Sequence, residues 1–386
     1  MARFTKEHAP GRARGRRRSA ALVAAAALVL GLVLAGPASA GPSSVLPAGF
    51  QSESMSWVTP KQGFLMGSDT CGQSTCTTVL ATTNGGGRWH TTGTIDAPMT
   101  IEDAAGVTGV RFADAENGWA FEPGLQSTTD GGATWTPETI PGGGHLVLGF
   151  AANADAAYLL ASPCQLNRLC HQPLTFWRTT PGSGVWTQVS LTLPVFSGFN
   201  EASVAVKGSV AYLAVPTIDS PDPDILDVTL DGQTWTSMPD PCSKPDNEYL
   251  ASVAPISGTK VGLLCQSDIG FGQAEKRAFR SLDAAQTTAL AGQLPLYGIT
   301  SQLAAAPNGT LIAAESSIGS WIYRNAKGRT WSTPEDLGDG GMGWNDPVFV
   351  SNAIGFVIHG PFGLCCGGGP GELWRTTDGG VTWASV

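Results

Sequence analysis

The amino-acid sequence predicts an all-β protein, a seven-bladed β-propeller built from four-stranded antiparallel blades. A phrase in the first half of the chain, Ser127–Trp135, returns near its end as Arg375–Trp383, and weaker copies lie between them. Each copy follows short apolar runs broken by Gly, Asn, Asp and Pro, and no part of residues 41–386 shows a sustained helical period. Repeats of roughly 40–50 residues with four strands each indicate a propeller.

The number of repeats follows from the tryptophans that end most copies. These are Trp89, Trp135, Trp186, Trp235, Trp331 and Trp383. The interval of 96 residues between Trp235 and Trp331 is double the others. A further copy therefore lies near Asp283, where Arg280–Thr287 keeps the turn pattern without the tryptophan. Six periods then separate Trp89 from Trp383, and the mean pitch is 49 residues.

The second repeat shows most clearly how each blade is encoded. Short β-rich runs separated by turn residues predict four strands in order, at Gly109–Phe112, Gly118–Phe121, Gly124–Thr128 and Thr134–Thr136. The glycine-rich turn lies between the third and fourth strands, so its counterparts in all repeats should lie on one face of the ring.

A polar residue opens the turn in most copies, namely Asn84, Asp130, Asp231, Asp283 and Asp378. Its side chain can accept hydrogen bonds from the backbone of its own turn, while glycines such as Gly131 supply positive φ. The tryptophan should pack between neighbouring blades. Because Pro181 occupies the same position in another copy, we interpret the motif as structural and not as a catalytic or metal site.

These residues resemble the Asp-box, or bacterial neuraminidase repeat, of β-propellers in the sialidase-like superfamily. The segment Phe112–Ala120 ahead of the second box is most similar in pattern to exported propellers of the photosystem II assembly-factor type. The resemblance covers residues 50–386. It implies the fold and leaves the function open, since sialidases, sortilin-type receptors and other glycoside hydrolases share the repeat.

Residues 1–40 are expected to form a secretory signal peptide and not part of the fold. Arginines between Arg12 and Arg18 precede the apolar run Ala20–Ala35, and Ala38–Ala40 offers a small-residue cleavage site. We therefore expect a secreted protein cleaved near Ala40, with residues 41–386 forming one propeller domain and no membrane insertion.

The net charge of the chain limits the kinds of partner that it can bind. Loss of seven basic residues and one acid with the leader would change the net charge from −9 to −15. An acidic surface disfavours nucleic acid and anionic lipid. We expect a monomer that binds a protein or a carbohydrate.

Eight cysteines in an exported chain predict disulfides. The order of strands suggests pairing Cys71 with Cys76, Cys164 with Cys170, Cys242 with Cys265, and Cys365 with Cys366. For the last two cysteines, a link to the first blade is the alternative. Zinc is disfavoured because the cysteine spacings do not match its usual sites.

Strand alternation places every cysteine on the face opposite the Asp-box turns. We call it the cysteine-bearing face. It is formed by the connections between second and third strands and by the linkers between blades. Its longest predicted loops are Gly67–Thr78, Ser162–Leu174, Pro216–Ile225, Gln266–Arg277 and Gly360–Glu372. Long loops stiffened by disulfides are typical of binding surfaces, although tolerated insertions would look the same.

Two functions follow from different classes of protein. The first is non-catalytic binding of a protein or glycan through the cysteine-bearing face, without a cofactor or metal. The alternative is a sialidase-like exo-glycosidase or another glycoside hydrolase. Sialidase chemistry would need several arginines at the channel mouth, and only Arg111 lies on a predicted innermost strand.

The acidic loop of Asp219, Asp222, Asp224 and Asp227 could hold Ca²⁺, but it lacks the EF-hand glycine and terminal glutamate, which favours a solvated loop.

Overall fold

A computed structural model describes residues 46–166, 168, 170–195, 202–217, 221–317, 319–337, 342–361 and 371–386. The strands of the first four blades are β1 (Gln51–Trp57), β2 (Gly63–Cys71), β3 (Ser74–Thr82), β4 (His90–Ile95), β5 (Val107–Phe112), β6 (Gly118–Pro123), β7 (Leu125–Thr128), β8 (Thr136–Pro137), β9 (Leu146–Ala152), β10 (Ala157–Ser162), β11 (Thr175–Thr179), β12 (Trp186–Val189), β13 (Ser203–Lys207), β14 (Val210–Val215), β15 (Ile225–Thr229) and β16 (Trp235–Ser237). The last three blades contain β17 (Tyr249–Ser257), β18 (Lys260–Gly270), β19 (Gln273–Ser281), β20 (Ala289–Gln293), β21 (Thr300–Ala305), β22 (Leu311–Ser316), β23 (Ser320–Asn325), β24 (Ser332–Leu337), β25 (Met342–Phe349), β26 (Gly355–Pro361), β27 (Glu372–Thr376) and β28 (Ala384–Ser385).

Each blade consists of four strands that are consecutive in the chain and pair antiparallel in order. One bridge, between Ser316 and Gly343, joins the sixth and seventh blades. The prediction of an all-β, seven-bladed propeller is confirmed. In the described residues, the helical segments are two 3₁₀ turns, Pro141–Gly143 and Lys244–Asp246. No helix among those residues is long and apolar enough to cross a membrane.

Apolar side chains are buried in seven clusters, each between two neighbouring blades. Between the first two blades, Phe64 of β2 stacks on Phe112 of β5 with ring centroids 3.5 Å apart. Trp135 meets the Phe112 ring edge-on at 5.9 Å. Each of the other Asp-box tryptophans lies in the apolar cluster that its blade shares with the blade before it. The blades thus share cores, which allows a chain this long to bury its apolar residues.

The joint between the fourth and fifth blades is the one that lacks an Asp-box tryptophan. Ala284 and Ala285 stand where other copies have glycine, with φ of 58° and 69°. Left-handed φ costs an alanine roughly 1 kcal/mol per residue. The Cys242–Cys265 disulfide is buried in this cluster and closes 23 residues. A covalent link therefore supports the joint with the least aromatic packing.

Asp130 accepts hydrogen bonds from both sides of its turn. Its Oδ1 accepts from the Thr134 amide at 2.9 Å and from Thr128 Oγ1 at 2.8 Å, and its Oδ2 accepts from Thr134 Oγ1 at 2.6 Å. The Asp283 and Asp378 turns repeat this pattern. The hydrogen bonds from Thr134, followed by the one from Thr128, lower the pKa of Asp130 to about 2. Both carboxylate oxygens of Asp130 are therefore occupied within its own turn.

The ring closes without a strand shared between its ends in the described chain, because β1 to β4 form the first blade and β25 to β28 the last. The Asp346 carboxylate, on β25, spans this joint. It accepts from Ser54 Oγ at 2.9 Å and the Met55 amide at 2.6 Å, both on β1. It also pairs with Arg111 of β5 at 2.8 Å. The Asp346 amide donates to Gln302 of β21 at 2.6 Å, so four consecutive blades meet at one residue.

Asp130→Ala should lower the free energy of unfolding by about 1 kcal/mol, as expected for a lost turn cap. The difference in free energy of unfolding between the variant and the parent should shrink as pH falls from about 4 towards 2. In the folded parent the carboxylate stays ionised below its usual pKa, and its hydrogen bonds lose their stabilising effect when it is protonated. Chemical denaturation across that range measures both effects. Asp155→Ala, at an exposed turn, is the control, and an unchanged stability in Asp130→Ala would contradict the structural interpretation.

Asp346→Asn should lower the free energy of unfolding by about 2 kcal/mol, since it removes the charge that receives donors from the first and second blades. Asparagine tolerates the φ of 50° at this position, so the change tests the charge and not the backbone. A double-mutant cycle with Arg111→Met, followed by urea denaturation, measures the coupling. If the two changes were additive, the carboxylate would not hold the joint through Arg111.

Candidate functional site

The structure contains three disulfides, which join Cys71 to Cys76, Cys164 to Cys170, and Cys242 to Cys265. These are three of the four predicted pairs. Cys71 ends β2 and Cys76 lies near the start of β3, Cys164 and Cys170 lie between β10 and β11, and Cys242 follows β16, with Cys265 inside β18. All six therefore belong to the cysteine-bearing face. Cys365 and Cys366 lie outside the described residues.

Two of the long connections on this face are regular hairpins and not loops. β2 and β3 pair up to Cys71 and Ser74, and β18 and β19 pair up to Gly270 and Gln273. The prediction of loops at these places was wrong. The strands extend beyond the body of the blade because each ends at a turn with residues in left-handed φ, which lets the ladder continue to the tip.

In the described part of the acidic segment of the fourth blade, Asp222 is exposed, as expected of a solvated loop, but two other aspartates are not. Asp224 is buried, pairs with Lys244, and accepts from the Leu250 amide at 2.6 Å and the Thr217 amide at 2.7 Å. Asp227 is buried as well. The prediction of a solvated loop was wrong for these two residues. Lys244 and Leu250, which follow β16, contact Asp224, and Ser237 of β16 donates to Asp227 at 2.6 Å. Asp219 lies outside the described residues.

One set of possible metal ligands occurs among the described residues, formed by Asp224, Asp240 and Cys242. The Cys242 sulfur is in a disulfide, and the Lys244 ammonium already neutralises Asp224. The donors therefore do not fit a metal ion.

The innermost strands of all seven blades surround a central cavity of about 910 Å³. Linker residues Met99 to Ile101, the end of β6 at Glu122 and Pro123, and Leu166 also line it. Because these segments belong to the cysteine-bearing face, the cavity opens on that face. A volume of this size is in the range of small-molecule sites, about 300–1,000 Å³.

Charged side chains line one wall of the cavity. They are Glu53 of β1, Arg111 of β5, Glu122 and Asp346. Glu53 is the extra residue of a β-bulge, since Ser52 pairs with Gly67 and Ser54 with Met66. Burial, and then the nearby charge of Asp346, raise the pKa of Glu53 to about 7. This carboxyl therefore changes its charge near neutral pH.

The opposite wall is apolar. It is formed by the innermost strands of the third to fifth blades, through side chains that include Leu146, Leu148, Phe150, Val204 and Val253. Described residues bring one arginine, Arg111, to this cavity. The arginine cluster that sialidase chemistry would require is not formed by them.

An exposed aromatic group lies on the same face, at the joint between the fifth and sixth blades. Phe271, at the tip of the β18–β19 hairpin, is 99% exposed, and Tyr297, in the linker before β21, is 51% exposed. Leu296 adds a third exposed apolar side chain. We call these three residues the aromatic patch. The patch was not predicted from the sequence, although an aromatic residue between two glycines, Gly270-Phe271-Gly272, was the available signal.

The linker that carries Tyr297 is fixed from below. The Tyr297 ring stacks on Trp321, with centroids 5.3 Å apart. Lys276 donates to the carbonyl oxygens of Tyr297 at 2.6 Å and Gly298 at 2.9 Å, and Tyr323 donates to Tyr297 at 3.1 Å. The exposed ring is therefore held in one position, which lowers the entropic cost of binding a partner.

A fully buried ion pair lies beneath this linker. Lys276 Nζ is 3.2 Å from Glu315 Oε2, and both side chains are 0% exposed. Burial raises the pKa of Glu315 to about 7 and lowers that of Lys276, so each group is driven towards its neutral form. Ser301, which lines the cavity, contacts the same Glu315 oxygen at 2.6 Å. The pair connects the support of the aromatic patch to the cavity wall.

No protein-family model matches the chain, and no curated protein sequence does. Solved structures similar to it are β-propellers. One is YCF48 bound to a D1 peptide, with 16% identity, a TM-score of 0.45, and coverage of 72% of this chain and 79% of that one. Another is the GH93 α-L-arabinofuranosidase of Fusarium graminearum with arabinobiose, with 10% identity, a TM-score of 0.48 and coverage of 86% and 94%. A third is the propeller domain of the Trilobed protease from Pyrococcus furiosus, with 8% identity, a TM-score of 0.48 and coverage of 87% and 97%. At these identities, what each neighbour binds is a property of that neighbour.

Glu53→Gln should remove a pH dependence of stability. The folded Glu53 keeps its proton up to about pH 7, whereas an unfolded glutamate loses it near 4.5. The native state thus binds the additional proton in that window, and the free energy of unfolding falls as pH rises through it. At pH 8 the variant should be more stable than the parent by about 1 kcal/mol, discounted for partial exposure, and equal to it at pH 4. Denaturation of both proteins and of the exposed control Glu102→Gln measures this, and parallel pH profiles would contradict it.

Proposed function

We propose that this protein binds a protein or glycan partner through its cysteine-bearing face, without catalysis. The observation that carries the proposal is the aromatic patch, in which Phe271 is 99% exposed on a projecting hairpin. Contact between an exposed aromatic ring and water is unfavourable in free energy. A partner that covers the ring removes this cost, which stabilises the complex. Aromatic side chains are enriched among the residues that dominate binding energy.

The support beneath the patch strengthens the proposal. A buried Lys276–Glu315 pair has a desolvation cost that apolar side chains would avoid. Its ammonium is directed at three carbonyl oxygens of the segment from Leu296 to Gly298. We infer that this cost is maintained because it fixes the exposed Tyr297.

Export fits the same function. Residues 1–40 have the pattern of a signal peptide, and three disulfides occur on the proposed binding face. We infer that the mature protein is a secreted monomer, and that the Asp-box residues of the opposite face serve folding.

A glycoside hydrolase is the second candidate, and one observation favours it. Glu53 has a raised pKa and lies near Asp346 in the cavity, and two carboxyl groups in different environments are the kind of pair that divides acid and base roles. Against it, both Asp346 oxygens already accept hydrogen bonds from Ser54, Met55 and Arg111. Hydrolysis of aryl glycosides that is lost in Glu53→Gln would favour this candidate over simple binding.

Replacing both aromatic rings, in Phe271→Ser/Tyr297→Ser, should weaken partner binding at least tenfold, since two exposed anchors are lost. Peptide and glycan arrays identify ligands of the parent protein, and titration of the best ligand measures the change. Phe271→Ser alone should leave the melting temperature unchanged, because that side chain is 99% exposed. Tyr297→Ser also removes the stacking on Trp321, so the melting temperature of each single variant is measured beside its binding.

The matched control is Leu282→Ser, whose side chain is 71% exposed in the Asp-box turn of the fifth blade, on the opposite face. This variant should bind as the parent does. Binding that survives loss of both rings, or that falls equally in the control, would contradict the proposal.

A further inference from the structure

We propose that the central cavity binds an organic cation, a protonated aliphatic amine whose ammonium group lies beside Glu53 and Asp346 and whose apolar chain packs on the opposite wall. This site is separate from the aromatic patch and does not depend on the function proposed for it. One wall of the cavity is charged and the opposite wall is apolar, and a ligand that fills the cavity must match both.

The balance of charge in the cavity is negative. Its described lining holds three carboxylates, Glu53, Glu122 and Asp346, and one guanidinium, Arg111. Arg111 is engaged already. Its Nη2 donates to Asp346 at 2.8 Å, and its Nη1 donates to the carbonyl oxygens of Met55 at 3.0 Å and Val110 at 2.7 Å. An anionic ligand would therefore meet surplus negative charge, and a cationic ligand would compensate it.

Glu53 lies where it can meet such a ligand. The bulge in β1 takes it out of the strand ladder, and its side chain lines the cavity. Burial and Asp346 both disfavour its ionised form, as the raised pKa records. An ammonium group beside it would reverse both effects, because it restores a counter-charge to a carboxylate in a poorly solvated place.

Apart from Arg111, Glu122 and Asp346, the described lining contains no charged residue that could face Glu53. The innermost strands of the third to sixth blades contribute aliphatic, aromatic, hydroxyl and amide side chains only. Their apolar side chains, such as Leu148, Val204 and Val253, form a wall that an alkyl chain can cover. A small inorganic cation would leave this wall unused, so the site fits an amphipathic amine better.

Titration with n-hexylammonium, followed by calorimetry and by NMR shifts, tests the proposal on the full mature chain. Binding should be about tenfold tighter at pH 8 than at pH 6, because the ionised fraction of a carboxyl with a pKa of about 7 changes by that factor. Hexanol and hexanoate, which have the same chain without the positive charge, should bind at least tenfold more weakly at pH 8.

Nα-acetyl-lysine methylamide shows whether the amine can come from a polypeptide. If it binds as hexylammonium does, a lysine side chain is a sufficient source, and if it does not, the source is a free amine.

Two variants locate the site. Glu53→Gln should weaken hexylammonium binding about tenfold at pH 8 and remove its pH dependence, while the exposed control Glu102→Gln should change neither. Leu148→Asn should weaken hexylammonium and leave methylammonium unchanged. The proposal is overturned if hexylammonium does not bind at pH 8 at millimolar concentration, if hexanol binds equally well, or if Glu53→Gln binds as the parent does. Loss of array ligands in the aromatic-patch variant has no bearing on this outcome, so the two proposals fail separately.

Discussion

The carboxylate of Asp346 lies where the last blade meets the first, and it joins two blades that share no strand among the described residues. Ser54 and Met55 of the first blade donate to it, and Arg111 of the second blade pairs with it. A ring of blades gains its stability from neighbour contacts, and an open joint would expose one apolar face on each side. The apolar cluster around Phe356 and Leu65 covers that joint, and the carboxylate fixes its register.

The two faces of the ring are stabilised by different interactions. On one face, turns such as that of Asp130 satisfy their own backbone and position a tryptophan between blades. On the other face, extended hairpins and linkers are held by disulfides and by the buried Lys276–Glu315 pair. The surface that displays Phe271 and Tyr297 is therefore supported by its own covalent and ionic contacts. Connections on such a surface can vary in sequence without loss of the fold.

The joint between the fourth and fifth blades shows how a repeat protein tolerates the loss of its motif. Its turn keeps Asp283 and the hydrogen bonds from Thr287, but the tryptophan is gone and alanines replace the glycines. The Cys242–Cys265 disulfide enters the same core. The linker that carries Cys242 is fixed further by the pairs of Lys244 with Asp224 and Arg277 with Glu248. The disulfide and the two ion pairs that compensate for the missing tryptophan therefore come from the cysteine-bearing side of the ring, opposite the Asp-box turns.

The sequence by itself determined the blade count, the strand order and three disulfide pairs, because these depend on local periodicity and on the alternation of strands. The spacing of Trp89 to Trp383 encodes the pitch, and chain order alone places Cys71 next to Cys76. Only the tertiary structure brought Glu53, Arg111 and Asp346 together, since they lie on three blades and up to 293 positions apart in the chain. It also decided that Asp224 is buried and that Tyr297 is exposed. Periodicity reports which residues share a strand face, whereas closure of the ring decides which of those faces meet each other and which meet water.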